Sequence, residues 1–397
     1  MKTQNKADRI STLPDSVLCY ILSFLPTKLC VATSILSKRW RPLWRSVPTL
    51  DFDDSDYYYE SKELYYRFVQ SVYIAIFSRD LHQPIQTFRF KCCSSLADPT
   101  NLKVWINAAA ERGLEHLDIS LPPSWLYESK WLPSAILSSR TLVVLKLREL
   151  TVKALFPVHL SSLKFLHLYD VAFYKSRCFA ELLSGCPVLE YLEEDELQFG
   201  DSLTVGEFKC LPKLVRAYIN RLHVPLESVR NVEFLRIEWM SELDNINSRF
   251  NFKDPIPMFH NLTHVELIHL YFISDWLEIV EVLKRCPKLQ VLVINQRYID
   301  DPYDEMEEGE AVVGGDWPYP QFVPESISLH LKTCRLKNYE GWKGELRFAR
   351  YILQNAGFLQ SMTISSGFFR NQHEKRKMIK DICFRTRCSA TCKLSFE

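Results

Sequence analysis

At 397 residues, the chain is long enough for two or three domains, or for one domain and an array of repeats. Its 49 Lys and Arg residues nearly balance its 48 Asp and Glu residues, so no overall field attracts it to nucleic acid or to an anionic membrane. No apolar run is long enough to span a bilayer, and Met1 to Ser11 lacks the apolar core of a signal peptide. We therefore expect a soluble, unsecreted chain that binds its partners through local surfaces, without contacting nucleic acid or membrane.

Twelve cysteines are scattered through the chain, most of them singly within apolar patterns where a free thiol packs as a small hydrophobe. We expect reduced thiols and a reducing compartment. The basic run from Lys375 to Lys377 is compatible with nuclear import and equally with a solvated helix face, which leaves cytoplasm and nucleus both open.

No group of residues predicts a metal site or a catalytic centre. Asp51 begins a segment like a calcium loop, but Asp56 and Lys62 stand at its sixth and twelfth places, which require Gly and Glu. Near the C-terminus, four residues are of types that bind zinc: His373, Cys383, Cys388 and Cys392. They do not form the two closely spaced pairs that a zinc site usually has. No HExxH, GxSxG or glycine-rich phosphate motif occurs. We predict a non-catalytic protein without metal or cofactor.

The first fifty residues predict three short helices. The first begins at Pro14 and Asp15 and ends before Pro26. A second is expected from about Thr27 to Leu36, and a third from Ser37 onward as N-cap. A unit of this size is near the lower limit for a stable core, yet it carries more large apolar side chains than its interior can hide. The surplus requires a partner.

The segment LPDSVLCYILSFLPTKLCVATSILSKRWRPLW resembles the F-box in the form found in large plant families. The signature pairs Leu13-Pro14 and Leu25-Pro26 are present, as is the run from Leu36 to Trp40, whereas Leu29-Cys30 and Pro42 depart from the pattern. The resemblance implies that residues 7–53 dock on a Skp-type adaptor and, through it, on the cullin and RING subunits of a ubiquitin ligase.

The same resemblance assigns roles to individual F-box residues. The implied adaptor contacts are Leu13, Pro14, Val17, Ile21, Leu22, Leu25 and Pro26. The residues implied to hold the helices together are Val31, Ile35, Trp40 and Trp44.

After the F-box, residues 54–113 predict a helix from Leu64 to Phe77 and a strand from Ile85 to Phe90. We interpret this region as a linker and N-terminal cap for an array of repeats.

From residue 114 onward a short apolar pattern recurs, at intervals of 18 to 30 residues except before the last copy. This interval is typical of leucine-rich repeats, whose L-x-x-L-x-L core is a short strand. Helices are predicted before several strands, for example from Trp105 to Arg112 and from Phe179 to Ser184. Residues 114–299 therefore predict an α/β solenoid of strand and helix repeats. The copies are LEHLDI at 114, LVVLKL at 142, LKFLHL at 163, LEYLEE at 189, LVRAYI at 214, VEFLRI at 232, LTHVEL at 262, LQVLVI at 289 and LQSMTI at 359.

Alternation along each strand points the leucines inward and the intervening residues outward, in what we name the outward strip. Aromatic and Arg side chains anchor protein interfaces, although exposed strand positions favour aromatic residues in any case. Glu194 interrupts the apolar pattern and predicts that its strand ends early or shifts register. The predicted substrate-binding residues are His116, Arg148, Phe165, His167, Tyr169, Tyr191, Arg216, Tyr218, Phe234, Arg236 and His264. The strip also includes Asp118, Val144, Lys146, Glu193, Asn220, Glu238 and Glu266.

The C-terminal hundred residues form two regions. Residues 300–316 are acidic and lack Lys and Arg, which predicts a solvated, flexible insertion. Residues 317–397 resemble the FBD domain that ends many plant F-box proteins, with Val323-Pro324, a helix from Glu345 to Asn355 and a closing strand from Ser389 to Phe396. We expect this domain to extend and cap the repeats.

Together these resemblances imply a plant F-box/FBD/LRR-repeat protein that holds an unidentified protein substrate for ubiquitylation. Two alternatives stay open: a small-molecule sensor, since some F-box proteins with leucine-rich repeats bind a ligand and an inositol phosphate, and a Skp-binding scaffold without ligase function. Lys146, Arg148, Arg216 and Arg236 are spread over four repeats, which argues against a polyphosphate pocket. We expect no homo-oligomer.

Overall fold

A computed structural model describes most of the chain. By its contacts, the chain divides into two units. Unit 1 is Met1–Leu189 with Asp195–Glu207, and unit 2 is Glu190–Glu194 with Phe208–Glu397. The structure describes residues 9–10, 12–55, 62–94, 98–122, 131–153, 157–201, 208–220, 223–239, 256–269, 276–296, 320, 322–339, 343–365, 379–380, 382 and 387–397. The acidic insertion predicted at 300–316 lies outside these residues, as do His373 and Cys383.

From Thr12 to Ser55, where every residue is described, unit 1 begins with three α-helices joined by tight turns. These are α1 (Asp15–Leu22), α2 (Thr27–Ala32) and α3 (Trp40–Leu43), with 3₁₀ turns at Thr33–Ile35 and Trp44–Ser46. The second helix ends earlier than predicted, and the third begins later, without a cap from Ser37. Pro42 fits because its missing N–H lies in the first turn, where no helical acceptor exists.

A buried arginine fastens these helices to the next helix, α4 (Lys62–Phe77). Arg79 donates to the carbonyl oxygens of Ala75 (2.8 Å), Trp44 (3.1 Å) and Val47. Burial, reinforced by the neighbouring Arg112, lowers the pKa of Arg79 to about 10, so the guanidinium stays charged at neutral pH. Its three acceptors therefore receive charge-assisted hydrogen bonds.

The described residues of unit 1 include a parallel sheet of five strands in the order β1, β2, β3, β4, β6. The pairing begins at Thr49, well before the first leucine-rich motif, because β1 and β2 place Leu50, Phe52, Phe88 and Phe90 on the buried face. Three two-residue strands, β5, β7 and β9, form a second parallel sheet that the repeat pattern did not predict. The strand bounds are β1 Thr49–Asp53, β2 Thr87–Lys91, β3 His116–Ser120, β4 Val144–Arg148, β5 Thr151–Val152, β6 Phe165–Tyr169, β7 Ala172–Phe173 and β9 Gln198–Phe199, with helices α5 Pro99–Ala110 and α6 Ser176–Ser184.

In the part of unit 2 that the structure describes, eight parallel strands pair in sequence order from β8 to β16 without β9. Strands β14 to β16, from the region that resembles an FBD domain, continue the same pairing. The strand bounds are β8 Tyr191–Asp195, β10 Arg216–Ile219, β11 Phe234–Trp239, β12 His264–His269, β13 Val291–Gln296, β14 Thr333–Lys337, β15 Ser361–Ile364 and β16 Lys393–Phe396, with helices α7 Trp276–Lys284 and α8 Lys343–Asn355 and a π-helical turn at Ser326–His330.

The expected mixed α/β architecture with parallel strands is confirmed, and so is the inward direction of the repeat leucines. Leu117, Leu145 and Leu166 lie side by side in register and are fully buried. A stacked row of this kind gives each short strand apolar neighbours that it could not bury alone.

Several strands end at a residue with left-handed backbone. Glu149, Asp170 and Glu196 have φ values of 59°, 48° and 52°, each directly after β4, β6 or β8. The same turn occurs at Asn338, with φ of 56°, after β14. In unit 1 these turns direct the chain into the short strands β5, β7 and β9. In unit 1 the signal in the sequence was an acidic residue followed by Leu or Val, two residues after the last inward position of the strand, which is Leu147, Leu168 or Glu194.

The prediction for Glu194 was wrong. Strand β8 continues through it in regular register, with Glu194 opposite Ile219 of β10. Its side chain is buried, accepts the Asn220 N–H at 2.9 Å and lies 2.9 Å from Nδ1 of His223. These partners satisfy the carboxylate inside the unit, so the strand tolerates a charge at a core position.

Candidate partner-binding surfaces

Helix α1 carries apolar side chains on two opposite faces. Leu18 and Leu22 are buried, at 0% and 1% exposure, and pack inward. The outward face is formed at positions i, i+3, i+4 and i+7 by Val17, Tyr20 and Ile21 of the helix and by Phe24, two residues after its end. Tyr20 and Phe24 are 65% and 70% exposed, and their rings contact edge to face at 5.0 Å. We name these four residues the α1 outer face.

The structure corrects several roles inferred from the resemblance. Leu22 is buried, so it supports the core and does not lie on the accessible surface. Val31 and Ile35, expected to join the helices, are 38% and 86% exposed, whereas Trp40 and Trp44 are buried as expected. Of the other proposed contacts, Pro14, Val17, Ile21 and Pro26 are exposed, and Leu13 and Leu25 are half-buried.

Sequence reasoning had left out Tyr20 and Phe24 as adaptor contacts, and it missed the exposure of Leu29 and Leu36 altogether. Helical spacing from Val17 and Ile21 would have identified the first two. The start of α1 is fixed by Arg39, which pairs with Asp15 at 2.6 Å and donates to the carbonyl oxygen of Leu13. The Leu13-Pro14 signature is thus held by a residue of the later signature run.

Paired charges lie on the outward faces of the unit 1 strands, in the outward strip and on β1 and β2 before it. Arg89 of β2 lies 3.6 Å from Asp51 of β1, and Arg148 of β4 stacks on the ring of Tyr169 at 4.0 Å. Burial raises the pKa of Asp51 despite Arg89. An open cavity of about 530 Å³ lies over β2 to β6, lined by Thr87, Arg89, His116, Leu117, Asp118, Val144, Lys146, Phe165 and His167.

The outward strip of unit 2 forms a continuous row of rings. Centroid distances are 5.3 Å from Tyr191 to Tyr218, 4.9 Å from Tyr218 to Phe234 and 4.5 Å from Phe234 to His264. The guanidinium of Arg216 lies 5.7 Å from the ring of Phe234. We name these five residues the ring row. All five were predicted as substrate-binding residues, and the structure brings them together, although their function is untested.

Titratable groups of the ring row respond to burial and to their neighbours. Burial raises the pKa of Tyr191, whose hydroxyl donates to Glu193 at 2.9 Å. Burial also lowers the pKa of His264, helped by Arg335, Arg216 and Lys337 and opposed by Glu266. His264 is therefore neutral at pH 7.

Two predicted members of the outward strip are not available to a partner. Asn220 and Glu238 are each 7% exposed. Asn220 follows directly after β10, where its N–H meets the buried Glu194 carboxylate. Glu238 lies in the second half of β11, a strand longer than the repeat core predicts.

Among the described residues, one group has donor atoms close enough for a metal ion: Asp53, Asp54 and Cys93. Asp54 is already used structurally, because its carboxylate accepts the backbone N–H groups of Cys93 and Ser94 and the thiol of Cys92. Asp53 pairs with Lys91 at 3.1 Å. These bonds fix the turn after β1 and leave the carboxylates engaged. None of the described helices has the length and apolarity needed to cross a membrane.

Comparison with known families identifies the class of protein. A model of the F-box domain matches residues 10–51, and an FBD model matches residues 319–364. Between them, residues 102–206 match a model of leucine-rich repeats, described as "FBD-associated F-box protein At5g56370, LRR repeats". The chain is thus an F-box protein with leucine-rich repeats and an FBD domain.

Relatives from Arabidopsis thaliana match almost the whole chain. F-box/FBD/LRR-repeat protein At4g00160 is 30% identical over 98% of this chain and 94% of its own length. FBD-associated F-box protein At3g52670 is 31% identical over 99% of this chain and 98% of its own length. Putative FBD-associated F-box protein At3g50710 is 30% identical over 98% of this chain and 100% of its own length. The chain belongs to the plant F-box/FBD/LRR-repeat family.

Proposed function

We propose that this protein is the substrate-recognition subunit of an SCF-type ubiquitin ligase. F-box proteins with FBD and LRR domains are generally adaptors of this kind. In the proposal, the F-box docks on a Skp-type adaptor and thereby on cullin and RING subunits, while the outward strip holds a protein substrate. The observation that carries the proposal is the α1 outer face, an exposed apolar surface on a helix whose opposite face already forms the core.

The proposed mechanism is one of proximity. A bound substrate has a high effective concentration near the ubiquitin-conjugating enzyme, and the chemistry belongs to other subunits. This chain would then need no catalytic residue or cofactor and would act in the cytoplasm, the nucleus or both.

We further propose the domain organisation that this function requires. Residues 7–53 form a three-helix F-box, residues 54–113 a linker and cap, residues 114–299 a leucine-rich-repeat solenoid and residues 317–397 an FBD domain. The parallel pairing within each unit and the buried repeat leucines support the solenoid.

A pull-down with a purified Skp adaptor tests the docking. We expect Ile21→Asp and Phe24→Asp each to weaken binding by more than about tenfold, because a carboxylate would be placed in a buried apolar contact. Ile74→Asp is the matched control: Ile74 is an exposed isoleucine on α4, at 57% exposure, and should leave binding unchanged. Full binding by folded Ile21→Asp and Phe24→Asp proteins would rule out docking through the α1 outer face.

The small-molecule sensor is a second candidate because of the unit 1 cavity. Its volume of about 530 Å³ lies in the range of ligand sites, and Arg89, Lys146 and His116 line it. Asp51 and Asp118 offset these cations, so a polyphosphate would meet mixed charge. Native mass spectrometry of the purified chain would show a copurifying ligand, and Lys146→Glu should remove it if this cavity holds it.

A further inference from the structure

The outward strip of unit 2 has an excess of positive charge beside the ring row. Its cations include Arg216, Arg236, Arg335 and Lys337, on strands β10, β11 and β14, and its accessible acids include Glu193 and Asp195 of β8 and Glu266 of β12. Two of these acids have partners close by: Glu193 accepts the Tyr191 hydroxyl at 2.9 Å, and Glu266 pairs with Lys337 at 3.1 Å.

Three arginines remain for a partner. Within the described part of the chain, Arg216, Arg236 and Arg335 form no ion pair, and only Arg216 has a ring contact, with Phe234. Register places Arg216 beside Phe234 and Arg236 beside Tyr218. Guanidinium groups and ring faces therefore alternate over neighbouring strands.

The rings supply the apolar half of the surface. The 4.5 to 5.3 Å separations between centroids follow the spacing of paired strands, so the row crosses the strands as one stripe. At neutral pH the stripe ends in an uncharged imidazole, because burial lowers the pKa of His264. An apolar side chain laid along this stripe would have arginines on either side.

We propose that this surface binds an acidic peptide segment with aromatic or aliphatic side chains, the carboxylates pairing with Arg216, Arg236 and Arg335 and the apolar side chains packing on the ring row. The inference rests on the proposed substrate-receptor function and names the chemical class of the substrate segment. Carboxylate and guanidinium groups form two parallel hydrogen bonds, which gives specificity as well as affinity.

The charge arrangement favours a peptide over a nucleic acid. A nucleic acid carries a negative charge at every phosphate, and a strand laid along the ring row would bring consecutive phosphates against Glu193 and Glu266. Carboxylates in a peptide can be spaced so that they meet only the arginines. A basic segment would be repelled by the net charge of the strip.

The test is selection of a random 12-residue peptide library, displayed on phage, on the purified full-length chain. We expect enrichment of Asp and Glu together with Phe, Trp or Leu. Selected peptides, made synthetically with a fluorescent label, should bind at least tenfold more weakly to Arg216→Gln/Arg335→Gln and to Phe234→Ser. Arg230→Gln and Lys284→Gln are matched controls, since these cations pair with Glu227 and Glu281 on their own helical segments. They should change binding less than twofold.

Other occupants give different results. Enrichment of Lys and Arg, or equal binding by the double arginine variant, would overturn the proposal. The proposal would also be overturned if a single-stranded oligonucleotide bound more tightly than the selected peptides and its binding depended on the same arginines. If replacing the acidic residues of 300–310 with amides strengthens peptide binding more than tenfold, the chain's own acidic segment is the occupant, and the proposal of a substrate segment is overturned. Retained Skp binding in the same preparations separates failure of this inference from failure of the proposed function.

Discussion

The buried Glu194 provides the sharpest test of how this fold tolerates a charge in its core. Glu194→Ala removes the acceptor for the Asn220 N–H and the partner of His223 Nδ1, both at 2.9 Å. The Glu194 side chain is fully buried and that of His223 is 11% exposed, so water replaces neither contact readily. Breaking a buried pair from one side costs roughly 3–5 kcal/mol.

The assay is urea denaturation at pH 7, followed by circular dichroism, with hydrogen exchange of β8 and β10 to locate the effect. Glu193→Ala is the control: it lies on the same strand, faces outward and loses one hydrogen bond to Tyr191, so about 1 kcal/mol is expected. Equal losses for the two variants would refute the claim that Glu194 is held by a buried network.

A third variant removes both partners of the pair and keeps the space occupied. Leucine is the residue type that the repeat places at this position, and replacing a buried pair by apolar residues is often neutral. In Glu194→Leu/His223→Leu, the Asn220 N–H loses its acceptor, which costs about 1–3 kcal/mol. We therefore expect the double variant to be more stable than Glu194→Ala. The reverse order would show that removing both partners costs more than leaving His223 unpaired, and it would refute the account of a broken buried pair.

Three further predictions concern other buried groups. Arg79→Met should lower stability by about 3 kcal/mol and speed proteolysis of the N-terminal helices, because three carbonyl oxygens lose a charged donor; the exposed Arg67→Met should do neither. Burial raises the pKa of Cys186 to about 12, so iodoacetamide should label the exposed Cys210 in the native protein and Cys186 only after unfolding. His264 has a lowered pKa when folded, so the unfolded chain takes up its proton more readily and stability should fall as the pH drops below about 6.5. His264→Gln should flatten that fall in acid denaturation curves, and an unchanged slope would contradict it.

The repeat strands could be predicted because one buried face specifies their register. Leu117 and Leu145 mark the inward positions, and a shift of one residue would expose both. Glu194 broke the pattern, and no residue next to it in the chain indicates how its charge is compensated. Its partners Asn220 and His223 lie 26 and 29 residues further on, and only the stacking of the next repeat brings them close.

The F-box surface was harder to assign from sequence for a different reason. Helix α1 has apolar residues on two faces, and Leu18 and Leu22 alternate with Val17 and Ile21 along the chain. Periodicity shows that both faces exist, but the packing of α3 and its Trp40 decides which one is buried. The ring row posed a similar difficulty, because its five members come from four strands and their alignment depends on register.

The α1 outer face and the ring row should respond independently to substitution. Ile21 points away from the core of unit 1, and Arg216 points away from the core of unit 2, so neither change disturbs buried packing. Ile21→Asp should therefore reduce adaptor binding and leave binding of the selected peptides unchanged. Arg216→Gln should reduce peptide binding and leave adaptor binding unchanged. Each variant serves as the folding control for the other. Loss of both activities in either variant would show that it acts by unfolding the chain, and the assignment of that residue to a binding surface would fail.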